Sequence, residues 1–334
     1  MNYTDLFVAG TAGYHAYRIP AIVASGAGTL LAFCEGRRNS LADDGDIDLL
    51  LRRSLDGGET WGPTETVYND GPDTIGNPCP VIDEVSGDIC LTFCRNNNRV
   101  YVTRSADDGR SWAEPADITD RVKLPEWGLI GTGPGHGIQL KSGRLLVPCW
   151  AHPPGYAFPG RTLCIHSDDG GSTWNRGECV PGVDWGDEAQ AVELPDGSIY
   201  LNIRAKKDKP FRAHAWSHDG GQSWSEVGWH EDIPEPYSCQ GSVLGLIDAH
   251  HSMGIRGLVC NPAGPAREQL TIRASDDGCR TWSRGKVVWH GPAAYSDMCV
   301  LPDGTVCCLF ERGQEQPYEA ISLSRFDTAW AAHG

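Results

Sequence analysis

An arginine between an aromatic ring and an Ile-Pro pair, in Tyr17-Arg18-Ile19-Pro20, is the first residue whose setting points past packing. A guanidinium is always charged and offers a fork of donors that matches a carboxylate. Alone it is weak evidence, because surface arginines are common. Carboxylates are the second candidates. One aspartate recurs in an eight-residue phrase, Ser-x-Asp-x-Gly-x-Thr/Ser-Trp, that begins at Ser54, Ser105, Ser167, Ser217 and Ser275. Its aspartates, Asp56, Asp107, Asp169, Asp219 and Asp277, look at first like a row of acidic sites. No Cys-x-x-Cys pair offers metal-ligand spacing, so no metal and no cofactor is expected.

The phrase reads better as scaffolding than as chemistry. Successive starts differ by 105−54 = 51, 167−105 = 62, 217−167 = 50 and 275−217 = 58 residues, a recurrence typical of a propeller or other repeat array. Apolar runs such as Ile47–Arg52, Val100–Thr103 and Leu163–Ile165 lead into it, which places it on hairpin turns. There the aspartate accepts from turn amides, glycine takes positive φ, and tryptophan buries its ring. In the fifth copy Cys279 stands at a position read as outside the fixed pattern. Five phrases, a further strand-rich segment over 305–325 and an N-terminal strand predict an all-β six-bladed β-propeller of four-stranded antiparallel blades. Pairing of N- and C-terminal strands would close it, as one domain over residues 1–334.

Composition supports this and excludes several partners. Forty-one glycines and 22 prolines punctuate short β-branched runs, the texture of strands and tight turns with few helices. A net charge of −16 argues against nucleic acid and against an anionic membrane surface. An anionic ligand would need a local arginine cluster strong enough to overcome that field. No stretch approaches the roughly 18–20 apolar residues of a membrane span. The first ten residues lack the basic and apolar regions of a signal peptide, so a cytoplasmic protein is expected, or a secreted one if a leader has been trimmed. Thirteen cysteines, an odd number, read as buried thiols. Cys90 and Cys94 would lie roughly 13 Å apart along a strand, and neighbouring Cys307 and Cys308 would face opposite ways.

With Tyr-Arg-Ile-Pro and the repeats in place, the chain from Tyr17 to Glu311 resembles the bacterial and animal exo-α-sialidases, six-bladed propellers marked by such aspartate boxes. The resemblance implies a clamp of three arginines on a sugar carboxylate. These are Arg18, Arg204 in Leu201-Asn-Ile-Arg204, and Arg267 just before the strand leading to the last box. Arg273, directly before that box, is read as a solvated strand-end charge. Tyr295, in Ala294-Tyr295-Ser296-Asp297, matches the family nucleophile, and Glu188, in Asp187-Glu188-Ala-Gln-Ala-Val-Glu-Leu194, matches its partner. A phenol avoids the like-charge repulsion that a carboxylate nucleophile would meet beside the sugar's own carboxylate, and sialidases are an exception to the two-carboxylate scheme. Its reference pKa near 10 makes a proton acceptor necessary.

The loop from Glu35 to Asp48 carries four aspartates. Aligned on Gly45-Asp46-Ile47, it resembles the family loop that bears the acid/base and selects Asp43, with Asp44 as rival. Arg37 matches a further pocket arginine, and Glu35 and Glu311 resemble glutamates that orient the clamp. His136, in a loop similar to one facing the family pocket, is read as structural, and Trp127 and Tyr237 are candidates to wall the sugar. Asn2-Tyr-Thr4 fits a glycosylation acceptor. The implied activity is retaining hydrolysis of terminal α-linked sialic acid from sialylated glycans. The alternatives are an enzyme for a nonulosonic acid lacking the N-acetyl group and a propeller that binds without turnover.

Overall fold

A computed structural model describes residues 3–205, 209–246 and 257–332. The Asn2 acceptor position lies outside them. The described strands, in chain order, fall into antiparallel sheets. The N-terminal strand is β1 (Tyr3–Val8). The first sheet is β2 (Ala16–Ala24), β3 (Leu30–Arg37), β4 (Ile47–Ser54) and β5 (Glu65–Tyr68). The second is β6 (Ile75–Ile82), β7 (Ile89–Arg95), β8 (Arg99–Ser105) and β9 (Ala116–Asp117). The third holds β10 (Leu129–Thr132), β11 (Ile138–Gln139), β12 (Leu145–His152), β13 (Arg161–Ser167) and β14 (Asn175–Arg176). The fourth is β15 (Gly186–Glu193), β16 (Ile199–Ala205), β17 (Phe211–Ser217) and β18 (Gly228–Pro234).

The remaining strands form a single seven-stranded sheet: β19 (Ser242–Gly245), β20 (Gly257–Pro262), β21 (Glu268–Ser275), β22 (Lys286–Val300), β23 (Val306–Arg312), β24 (Ala320–Phe326) and then β1. Strand β22 is long enough to pair twice, with β21 as far as Pro292 and with β23 from Ala293 onward. At the far edge β1 pairs antiparallel with β24, Tyr3 opposite Ser324, so the N-terminal strand does join the C-terminal one. Strands from successive sheets touch in turn: β2 meets β6 and β22, β6 meets β10, β11 and β12, β15 meets β12 and β19, and β19 meets β22. Helices are short, α1 at Thr119–Val122 and α2 at Thr328–Ala332.

Each aspartate box starts on the last residue of a strand, at Ser54, Ser105, Ser167, Ser217 and Ser275, and turns toward the next. In the first copy Ser54 Oγ donates to Asp56 Oδ1 at 2.8 Å and accepts from the Gly58 amide at 2.8 Å, while the Thr60 amide donates to Asp56 Oδ1 at 2.9 Å. The hydroxyls of Thr60 and Ser111 contribute most to holding Asp56 and Asp107 down to about 2. The fifth copy corrects the sequence reading. Cys279 occupies the fixed glycine position itself, at φ +63°, and its amide donates to Ser275 Oγ at 2.9 Å, as the glycine amides do in the other copies. In the second copy space is tightest: a Cβ on Gly109 would lie 2.4 Å from Leu31 of the neighbouring sheet, which would have to shift. Trp174 shows how a box seals a core, its indole 1% exposed and donating to the Gly171 carbonyl at 3.0 Å. Burying such a ring contributes about 1.5–3 kcal/mol.

All thirteen cysteines are free, and all but Cys179 are buried. Arg273 departs from expectation: it is 5% exposed and bonds Asn261 Oδ1 at 3.3 Å, an interior residue of the sheet and not a solvated one. No helix among the described residues is long and apolar enough to cross a membrane.

Candidate active site

Four strands of four sheets, β2, β6, β15 and β22, lose register where their residues enter one cleft. Register shifts fall between Arg18 and Ala21 on β2, Gly76 and Cys79 on β6, Gly186 and Ala189 on β15, and Ala293 and Ser296 on β22. Ile19 and Asn77 sit at φ +58° and +55° within two of these breaks. Such bulges re-aim side chains that a regular ladder would send to alternate faces. They turn Arg18, Asn77, Glu188 and Tyr295 into a cleft of about 310 Å³. The other ends of the same strands line a larger cavity of about 610 Å³, which contains none of the proposed catalytic or clamp residues.

Tyr295 is buried at the cleft floor, and its hydroxyl donates to Glu188 Oε1. Arg204 Nη1 donates to Glu188 Oε2 at 2.7 Å and to the Tyr295 hydroxyl at 3.1 Å. Burial first, and then the Glu188 charge, push the phenol well above its ordinary pKa, against the opposing pull of Arg204 and Arg267. The resting group is therefore a neutral phenol with a carboxylate already on its proton.

Three guanidiniums surround that ring. The Arg18 and Arg267 guanidinium carbons lie 5.1 and 5.5 Å from its centroid. Each is held from behind. Glu311, fully buried, accepts from Arg18 Nε at 2.7 Å and from the Ile19 amide at 2.9 Å through Oε1, and from the Tyr295 amide at 3.1 Å through Oε2. Arg204 Nε donates to Ser238 Oγ at 2.9 Å. Arg267 Nη1 donates to the Tyr318 hydroxyl at 2.8 Å, while its buried Nε has no partner among the described residues. Burial acts to lower the Arg18 pKa, but Glu311 and the tyrosines outweigh it, so the charge is secure. Positive charge is thus concentrated at Tyr295 in a chain of net charge −16.

The Glu35–Asp48 loop lies over one wall. Arg37, on β3, donates to Glu35 Oε2 at 3.0 and 2.7 Å, and its Nη1 reaches the carbonyls of Leu41 and Ala42 and Asp43 Oδ1, the last at 2.8 Å. Asp43 Oδ1 also lies 3.9 Å from Arg18 Nη1, and its side chain is 74% exposed. Asp43 lines the cleft and Asp44 does not.

The catalytic, clamp and orienting candidates therefore converge: Arg18, Glu35, Arg37, Asp43, Glu188, Arg204, Arg267 and Tyr295 line the cleft, with Glu311 directly behind it. The proposed walls do not. Trp127 is buried in a sheet core and Tyr237 is exposed to solvent, and neither lines the cleft. Trp150 and Tyr156, stacked at 5.9 Å, take that place, with Asp187 beside them. His136, read as structural, bonds through Nδ1 to buried Asp297 at 2.8 Å and lines the larger cavity. Sequence reasoning missed Tyr318, Ser238, Trp150, Tyr156 and Asp187. Only Asp187 carried a signal, its place beside Glu188 in the same motif; the bulge that brings both into the cleft is visible only in the backbone.

The repeat pattern and the fold are shared with known proteins. The family profile described as a BNR repeat-like domain matches residues 28–308. The sialidase of Micromonospora viridifaciens is 32% identical over 98% of this chain, which spans 54% of that protein's length. Sialidase-3 of Bos taurus is also 32% identical, over 93% of this chain and 89% of its own. The solved structure of Hadza microbial sialidase Hz136 superposes with a TM-score of 0.88 at 26% identity, over 99% of this chain and 69% of that one. The propeller-type sheet arrangement, the repeats and this degree of identity lead to one conclusion: the chain belongs to the sialidase family of glycoside hydrolases.

Proposed function

We propose that the protein is a retaining exo-α-sialidase that releases terminal α-linked sialic acid from sialylated glycans through a tyrosyl-enzyme intermediate. The observation that carries this is the Tyr295–Glu188 hydrogen bond ringed by Arg18, Arg204 and Arg267. We read the scaffold as one domain over residues 1–334 with six four-stranded blades, β10 and β11 counting as one strand along β12 and the seven-stranded sheet as two blades that share β22. Loss of the Tyr3–Ser324 edge pairing on deleting β1, with no change in cooperativity, would contradict closure through that pair.

In this mechanism the three arginines seat the substrate carboxylate, whose charge they complement in a fork geometry. Tyr295 attacks the anomeric carbon as Glu188 takes its proton, and the bond to the leaving oxygen breaks as Asp43 gives that oxygen a proton. A covalent tyrosyl–sugar bond results. Asp43, now a carboxylate, takes a proton from water, which attacks the same carbon. The bond to Tyr295 breaks and Glu188 returns its proton. The sum is one water consumed, with configuration retained. Arg204, bonded to both Glu188 and Tyr295, stabilises negative charge as it passes between them.

Incubation with a fluorogenic sialoside tests this. Wild type should release the fluorophore and Tyr295→Phe should lose at least about 10²-fold in kcat/KM. Inert wild type, or undiminished release by Tyr295→Phe, would overturn it.

A further inference from the structure

Asp43 is the most exposed member of the site, yet it is tied down from the neighbouring sheet. We propose that the Asn96–Asn97 turn between β7 and β8 latches the Asp43 loop and thereby positions the acid/base over the cleft. This rests on the acid/base reading of Asp43.

The latch closes a ring of contacts across two sheets. Asn97 Nδ2 donates to the Asp43 carbonyl at 3.1 Å, and Asn97 Oδ1 accepts from Asn77 Nδ2 at 2.9 Å. The Asn77 amide donates to Glu35 Oε1 at 2.9 Å, and Glu35 Oε2 accepts from Arg37, whose Nη1 returns to Asp43. Asp43 is thus held by its carboxyl group from its own sheet and by its backbone from the next. A second clasp lies two residues on. Thr74 Oγ1 accepts from the Gly45 amide at 2.8 Å and donates to the Gly45 carbonyl at 2.9 Å, and the Thr74 amide donates to Asn96 Oδ1 at 2.9 Å. Asn96 and Asn97 both sit at positive φ, +52° and +48°, a conformation asparagine tolerates and one that turns the Asn97 amide to the loop and the Asn96 oxygen to Thr74. Outside these contacts the loop tip is exposed from Asn39 to Gly45, so little apolar packing would hold it.

A latch on the general acid has a signature that simple loss of fold does not share. General-acid assistance supplies about 10²–10⁴-fold, and a poor leaving group, a sugar alcohol, needs it far more than an activated phenol does. Asn97→Gly keeps the positive-φ turn and removes the latch, and Thr74→Val removes the second clasp without changing side-chain shape. Each should lower kcat/KM for sialyllactose by about tenfold or more and for 4-nitrophenyl sialoside by much less, while Asp43→Ala shows the same selectivity more strongly. Equal losses on both substrates, or none on sialyllactose, with selectivity retained in Asp43→Ala, would overturn the latch and leave the sialidase reading standing. Absence of selectivity in Asp43→Ala, or wild type inert to both substrates, would overturn the acid/base reading and the latch with it.

Discussion

Replacing Glu311 with glutamine changes one atom in the most constrained part of the site. Glu311 receives three donors, Arg18 Nε and the amides of Ile19 and Tyr295, and has no solvent exposure. A glutamine has one acceptor oxygen. If that oxygen faces Arg18 and Ile19, the side-chain NH₂ meets the Tyr295 amide; if it faces Tyr295, the NH₂ meets a buried guanidinium. Either orientation loses a hydrogen bond and opposes two donors, and the ion pair behind Arg18 is gone. A charge-assisted bond of about 1.5–3 kcal/mol and an unsatisfied buried donor at about 1–3 kcal/mol give an expected destabilisation of about 3–5 kcal/mol. Urea denaturation followed by tryptophan fluorescence measures it, with the slope unchanged if the transition remains two-state. In the folded fraction, KM for a sialoside should rise because Arg18 loses its orientation. A destabilisation below about 1 kcal/mol would refute the claim that Glu311 ties the first arginine to the nucleophile strand.

Arg267→Lys should raise KM by about 10–100-fold with a smaller fall in kcat, because a point charge replaces a fork whose Nε is buried and uncommitted; steady-state kinetics decide it. Gly109→Ala should cost about 1–3 kcal/mol in calorimetry, since the new Cβ meets Leu31 at 2.4 Å and the backbone is at φ +78°. Acid should destabilise the fold in two windows. His214 and His230, ring centroids 4.1 Å apart, are each lowered to about 4, mainly by burial. A depressed histidine contributes stability that is full above its unfolded pKa of about 6.5 and lost as pH falls toward 4. The box aspartates Asp56 and Asp107, lowered to about 2, contribute stability present above about 4 and lost as pH falls through 2. Thermal midpoints at pH 7, 5.5 and 4.5 should therefore fall, and fall less in His230→Phe.

Much of this was legible because repeats and short motifs are local. The boxes locate strand ends without help from tertiary structure, since Ser, Asp and Gly satisfy one another within eight residues. With that register, Arg18 and Tyr295, far apart in sequence, could be placed in one cleft. What stayed hidden depends on closure. Tyr318 reaches Arg267 from a turn with no motif, and Trp150 and Tyr156 meet only through the path of the chain after β12. Trp127 failed as a wall because an indole suits a sheet core as well as a sugar face. Strand-end position does not reveal that Arg273 is buried and bonded to Asn261 of the adjacent strand. Cys279 was misaligned within its own box, and its positive φ is visible only in the backbone.

The most direct test is covalent trapping. A fluorinated sialosyl fluoride, which slows hydrolysis of the glycosyl-enzyme more than its formation, can be incubated with the enzyme, followed by proteolysis and mass spectrometry. The expected result is one adduct, on Tyr295, absent from Tyr295→Phe and slowed in Glu188→Gln. An adduct on Asp43, Glu188 or Asp187, or inactivation of Tyr295→Phe at the wild-type rate, would contradict a tyrosine nucleophile.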